Sequence, residues 1–248
     1  MRATLLLVLL LAGCARSQIA ATPLPRMGPQ RWTAVLVAGD KSLPVFDNAT
    51  GAMATLLERA GVPPEDIHRF SASPSVLATP HVQVATRARV LDAVAELHPA
   101  PGQACLVFIT SHGAHGEGVY LATREEFLLP ADLDTALQSG CGSAPTVAIV
   151  SACYTGGFAQ SPVAKANRIV LTASAADRPS FGCGAGRELT YYDQCILGSL
   201  NKVMPGWSDV ATETDKCVSR LEALEHVAPS DPQSWIGRSV AGLPVAGG

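Results

Sequence analysis

Two runs in this chain are almost continuously apolar and β-branched, and they restrict the fold more than any other feature. They are Ala104-Cys-Leu-Val-Phe-Ile-Thr-Ser111 and Pro145-Thr-Val-Ala-Ile-Val-Ser151. A strand with one wet face alternates polar and apolar residues; a run without alternation is covered on both faces, as in a parallel sheet. Thr33–Ala38 and Arg168–Thr172 read the same way, and Asp66–Phe70 is a weaker strand. Helical periodicity separates these runs. Apolar residues recur at Met53, Leu56, Leu57 and Ala60 within Asn48–Ala60, and at Val90, Leu91, Val94 and Leu97 within Val84–His98, ahead of Pro99. Pro130–Gln138 and Glu188–Lys202 also read as helices, Val119–Leu121 as a short strand. Residues 203–248 read mostly as loop, with a last helix near 214–226. Such alternation predicts an α/β protein with a mostly parallel sheet and helices on both faces. A hydrophobic content of 48% with 16% charged residues fits the large core this requires. No boundary or repeat divides residues 31–248, which read as one domain.

The start of the chain has a different character. Met1-Arg2 is followed by the apolar stretch Ala3–Ala12 and then Gly13-Cys14. A charged start, a short apolar run and small residues describe a secretory signal, too short for an ordinary membrane span. Leu11-Ala12-Gly13-Cys14 resembles a bacterial lipoprotein signal, which implies cleavage after residue 13 and lipidation of Cys14. Residues 14–30 then form a proline-rich tether. Ala15 beside the anchor points to the outer membrane, facing the periplasm. Charge is nearly balanced, 18 basic against 21 acidic residues with no basic run, which argues against nucleic acid as a partner. Besides Cys14 and Cys153, five cysteines remain in a compartment that permits disulfides: Cys105, Cys141, Cys183, Cys195 and Cys217. Five is odd. Cys105, inside an apolar strand, is expected to stay free as a small buried hydrophobe, and Cys183, Cys195 and Cys217 are expected to supply the disulfides. No C-x2-C or helical H-x3-H spacing indicates a metal site, and no cofactor is implied.

The two apolar strands end alike. Ser111 runs into His112-Gly113-Ala114-His115-Gly116, and Ser151 into Ala152-Cys153-Tyr154-Thr155-Gly156-Gly157. Ligands in open α/β sheets bind beyond the carboxyl ends of the strands, so His112 and Cys153 would meet at one edge. A cysteine after an apolar strand is often structural, but nothing apolar follows Cys153 directly, and a basic neighbour activates a thiol. His112 is preferred to His115 because it follows its strand directly and is held by the sheet. The backbone N–H groups of Gly113 and Cys153 could bind a developing oxyanion. Asn48-Ala49-Thr50 matches a glycosylation sequon but lies where a helix starts, and it reads as capping.

These residues carry a family resemblance. Ser111-His112-Gly113 and Ser151-Ala152-Cys153-Tyr154-Thr155-Gly156-Gly157 resemble the legumain-type, C13 cysteine peptidases. So do Trp32–Gly39, Leu171–Arg178 and Ser180-Phe181-Gly182-Cys183. The resemblance implies a caspase-like, three-layer α/β/α fold and cleavage of peptides or proteins through an acyl-enzyme. Cys153 would be the nucleophile, His112 the proton-transfer residue, and Gly113 with Cys153 the oxyanion donors. Peptidases of this type that cleave after asparagine have an acidic residue where Ser151 stands, basic residues where Phe46-Asp47 stand, and an asparagine where Asp40-Lys41 stand, so that specificity does not carry over. Asp193 and Ser180 match specificity-pocket positions. Asp47 and Asp193 lining one pocket would favour a basic P1 residue, whereas Asp47 could also be a helix cap. Acyl transfer to an amine, and a non-catalytic binding lipoprotein, are the alternative functions.

Overall fold

The computed structural model describes residues 31–184 and 186–245. The leader and the tether, with Cys14, lie outside the described residues. Ten strands and five helices follow in chain order: β1 (Arg31–Ala38), α1 (Val45–Arg59), β2 (Ile67–Ser71), β3 (Val82–Val84), α2 (Arg87–Ala95), β4 (Gln103–Thr110), β5 (Gly113–Ala114), β6 (Gly118–Leu121), β7 (Glu126–Leu128), α3 (Pro130–Gly140), β8 (Thr146–Ser151), β9 (Arg168–Thr172), α4 (Tyr191–Leu200), α5 (Trp207–Leu224) and β10 (Gln233–Ile236).

Seven strands form one sheet in the order β10-β9-β8-β4-β1-β2-β3. Every pairing is parallel except β10 with β9. Side-chain alternation along the central strands divides the core in two. Leu106 and Phe108 of β4, with Val147 and Ile149 of β8, face α1, α4 and α5. Val107 and Ile109, with Ala148 and Val150, face α2 and α3. The result is the three-layer α/β/α architecture expected from apolar strands that have no wet face. The second sheet, β5-β6-β7, is antiparallel and grows from the end of β4.

The structure corrects several expectations. Cys105 is not free: it bonds Cys141, with Cα atoms 6.2 Å apart, and Cys195 bonds Cys217 at 5.6 Å. Cys183 and Cys153 are the free thiols among the described residues. Cys105 shares the strand face of Val107 and Ile109, and the end of α3 brings Cys141 against that face. Sequence periodicity shows which way Cys105 points but not what lies opposite. The first helix starts at Val45 after Pro44, so Asn48 and Asp47 lie inside it rather than capping it. The Asn48 amide instead donates to the Glu188 carbonyl oxygen 3.0 Å away. The Val84–His98 segment gives up its start to β3, because Thr86 caps α2 by accepting from the Arg89 N–H. The tail expected to be mostly loop holds the 18-residue α5 and the edge strand β10. Thr214 and Glu222 occupy buried positions of α5 alongside Trp207, Val210 and Val218, which blurs its apolar stripe. Glu222 is buried because it accepts the Ser230 N–H at 2.8 Å, and Trp207 packs edge-on against Trp32 with centroids 6.0 Å apart.

Candidate active site

Strands β4 and β8 run side by side in parallel, with Thr110 opposite Ser151. The Ser111 N–H continues the ladder to the Ser151 carbonyl at 3.1 Å. Counting on two residues from that pair puts His112 level with Cys153. Neighbouring strands lie about 4.8 Å apart, so both side chains emerge at one place on the carboxyl edge of the sheet.

The backbone at Cys153 is tightly held. Tyr154 adopts a left-handed conformation, φ 60°, and a short 3-10 helix, Thr155–Ala159, follows. That turn lifts the chain off the sheet directly after Cys153. Its N–H groups find partners at once: Tyr154 donates to Arg178 O at 2.9 Å, and Thr155 to Ser174 Oγ at 3.3 Å. The Thr155 hydroxyl donates back to Ala152 O at 2.9 Å. A left-handed tyrosine costs on the order of 1–3 kcal/mol, and such strain persists only where surrounding bonds over-determine it. The half-buried thiol turns toward Ser180, whose N–H donates to Sγ at 3.3 Å and whose carbonyl accepts from it at 3.4 Å.

Gly113 closes the other side. A Cβ built on it would stand 2.2 Å from the Cys153 carbonyl oxygen and 3.2 Å from the Ala152 Cβ. The two backbones therefore touch, and only glycine fits between them. His112 is half-buried, and its ring meets that of Phe46 edge-on, with centroids 5.2 Å apart and planes at 78°. His115 packs against Tyr154, with centroids at 5.5 Å, on the wall of a 240 Å³ cavity shared with Leu129, Pro130 and Phe158. It lies on a different aromatic support from His112.

The acidic residues divide. Asp193, fully buried in the first turn of α4, accepts from the Thr110 hydroxyl at 2.8 Å. Burial pushes its carboxyl up to about 6, while the hydroxyls of Ser151, Thr110 and Thr190 act the other way. It thus sits beneath the strand ends that carry the two candidate catalytic residues. Asp47 faces Ser71 and Arg69 at the end of β2; burial holds its carboxyl above the usual range against both partners. The two carboxylates make no direct contact, but each has an Oδ1 that is buried without a hydrogen-bond partner. Asp40 accepts the Ser42 N–H at 2.6 Å. Cys183, which sequence reasoning assigned to a disulfide, packs against Phe46. Burial pushes its thiol up to about 12, helped by negative charge on Cys153, Asp193 and Asp40. Among the described residues, no His, Cys, Asp and Glu group is arranged to hold a metal ion. The roles of Phe46 and Cys183 had one signal in sequence: both lie within segments that carry the family resemblance or depart from it.

The comparisons agree with this geometry. Residues 92–204 match the model of the Peptidase C13 family, a span that contains both strand ends, Ser180 and Asp193. Over that span the chain is similar to the C13 peptidases, and its fold is caspase-like. Its fold resembles that of caspase-1 from Spodoptera frugiperda, with a TM-score of 0.59 and 14% identity over 89% of this chain and 94% of that one. No curated protein matches the chain. Family match and fold together support a cysteine-peptidase-type function.

Proposed function

We propose that this protein is a cysteine endopeptidase that cleaves peptide bonds through an acyl-enzyme on Cys153. The observation that supports the reading is the register: the β4–β8 ladder ends with Thr110 opposite Ser151, two residues before His112 and Cys153, and the Gly113 backbone touches that of Cys153. His112 takes the thiol proton as the sulfur attacks the scissile carbonyl carbon. The resulting oxyanion is held by the N–H groups of Gly113 and Cys153. His112 then returns the proton to the leaving amine, the C–N bond breaks, and a thioester remains. A water molecule, deprotonated by His112, attacks the thioester and releases the acid and the free thiol.

The orphan Oδ1 atoms of Asp47 and Asp193 support a basic P1 residue, whose cationic head would supply the hydrogen bonds they lack. The leader supports an envelope location, anchored through lipid at Cys14 and acting on peptide or protein substrates at the outer membrane. Among the described residues, no helix is long and apolar enough to cross a membrane. The test is a peptide-library cleavage profile of the parent and of Cys153→Ala. Cleavage that vanishes in the variant, with an unchanged melting curve, is the expected result; undiminished cleavage would refute the mechanism. Adding an amine nucleophile and weighing the products separates hydrolysis from transamidation.

A further inference from the structure

A Cys–His pair works only if a third group fixes the imidazole, since the ring must present one nitrogen to the thiol and later to the leaving amine. The usual third group is a hydrogen-bond acceptor. Among the described residues, no hydrogen bond reaches the His112 ring. Asp40, just past the end of β1, accepts the Ser42 N–H and hydroxyl, both at Oδ1. Asp193 accepts from Thr110 through Oδ2, and its Oδ1 makes no hydrogen bond, to His112 or to any other group. What does meet the imidazole is Phe46, at 5.2 Å and 78°.

From this we infer that Phe46 is the positioning residue of His112, replacing a polar orienter with an aromatic wall. Phe46 is fitted to the task. It is fully buried in the first turn of α1 and packed in a cluster with Ala38, Val45, Leu43 and Cys183, which restricts its ring. Edge-to-face contact has a preferred angle, which restricts the imidazole plane as well as its position. It accepts no proton, so both ring nitrogens remain free for transfer steps. The free Cys183 side chain packs against the same cluster as Phe46. The inference rests on the peptidase reading for its catalytic meaning, and its test separates the two.

The experiment uses the full chain with Phe46→Leu, which keeps bulk but removes the ring, and Phe46→Tyr, which restores it. Two readouts are taken: turnover of a fluorogenic peptide amide, and the rate of Cys153 alkylation by iodoacetamide from pH 5 to 9. His112→Ala defines the alkylation profile of an uncoupled thiol. Phe46→Leu should lose about tenfold in kcat with KM changed less than twofold, and its alkylation profile should move toward that of His112→Ala. Phe46→Tyr should recover both. A Phe46→Leu profile that coincides with the parent overturns the inference, whether or not peptides are cleaved. If parent and His112→Ala already share one profile, His112 and Cys153 are uncoupled and both readings fall. A parent that cleaves nothing but shows the Phe46-dependent shift overturns the peptidase reading alone.

Discussion

Gly113→Ala tests the site where the structure is most demanding. The added Cβ would lie 2.2 Å from the Cys153 carbonyl oxygen, whereas real Cβ atoms essentially never come within 3.0 Å of another heavy atom. The two backbones must then part by close to an ångström. Neither partner gives way easily. Cys153 is followed by the clamped turn at Tyr154, and Gly113 is paired to Val119 of β6. Displacement of catalytic groups by about 1 Å costs on the order of 100-fold in rate, and both proposed oxyanion donors are displaced at once. We therefore expect kcat/KM on a fluorogenic peptide amide to fall at least about 100-fold, about 2.7 kcal/mol of transition-state stabilisation. Gly157→Ala is the control: its Cβ would meet only Pro130 Cγ at 4.0 Å, and activity should remain within about threefold. Circular dichroism and thermal melts establish that both variants fold. A folded Gly113→Ala protein with near-parental kcat/KM would refute the argument, because an oxyanion hole built from these two backbones cannot tolerate that separation.

Two further outcomes follow from buried ionisable groups. Asp193 has its carboxyl raised from 3.8 to about 6, so the native state holds its proton longer than the unfolded chain. Its contribution to stability is complete below about pH 4 and is lost as pH rises to 6, a cost on the order of 3 kcal/mol. Asp193→Asn, which cannot ionise, should therefore gain stability relative to the parent between pH 4 and pH 6.5 in urea melts; a constant difference across that range contradicts the burial argument. For Cys183, whose thiol is pushed up to about 12, the reactive thiolate is scarce at neutral pH. Iodoacetamide at pH 7.5 followed by peptide mapping should label Cys153 and leave Cys183 unmodified. Equal labelling would show that Cys183 is not packed as described.

The parts of this fold that could be read from sequence are those where one strand or one helix decides the pattern alone. β4 and β8 are apolar because each is buried on both faces, and that property belongs to the strand itself. The placing of His112 and Cys153 at one edge followed from parallel strands ending in step. The errors came where a second element decides. Cys105 looked like a core hydrophobe until α3 delivered Cys141 to it. Buried Thr214 and Glu222 hid α5, since their polar atoms are satisfied by Ser199 and Ser230 from elsewhere in the chain. Strand β10 is short and pairs antiparallel at the sheet edge, with Ser234 and Trp235 exposed, so no continuous apolar run marks it. Phe46 read only as a departure from a familiar pattern, because a ring contact across 66 residues leaves no trace in spacing.

The departures at Asp40, Phe46, Asp47 and Ser151 also form a physical set. An imidazole whose ring makes no hydrogen bond needs another contact to fix its plane. Phe46 provides it, but an aromatic residue there needs apolar company, and Cys183 with Val45 and Leu43 supplies that. Burial desolvates both Asp47 and Asp193 and raises their carboxyls above the usual range. Desolvated carboxylates with unpaired oxygens discriminate strongly between a cationic side chain that completes their hydrogen bonds and a neutral one that does not. On the proposed reading, the ring contact at His112 bears on proton transfer and the two carboxylates bear on substrate preference.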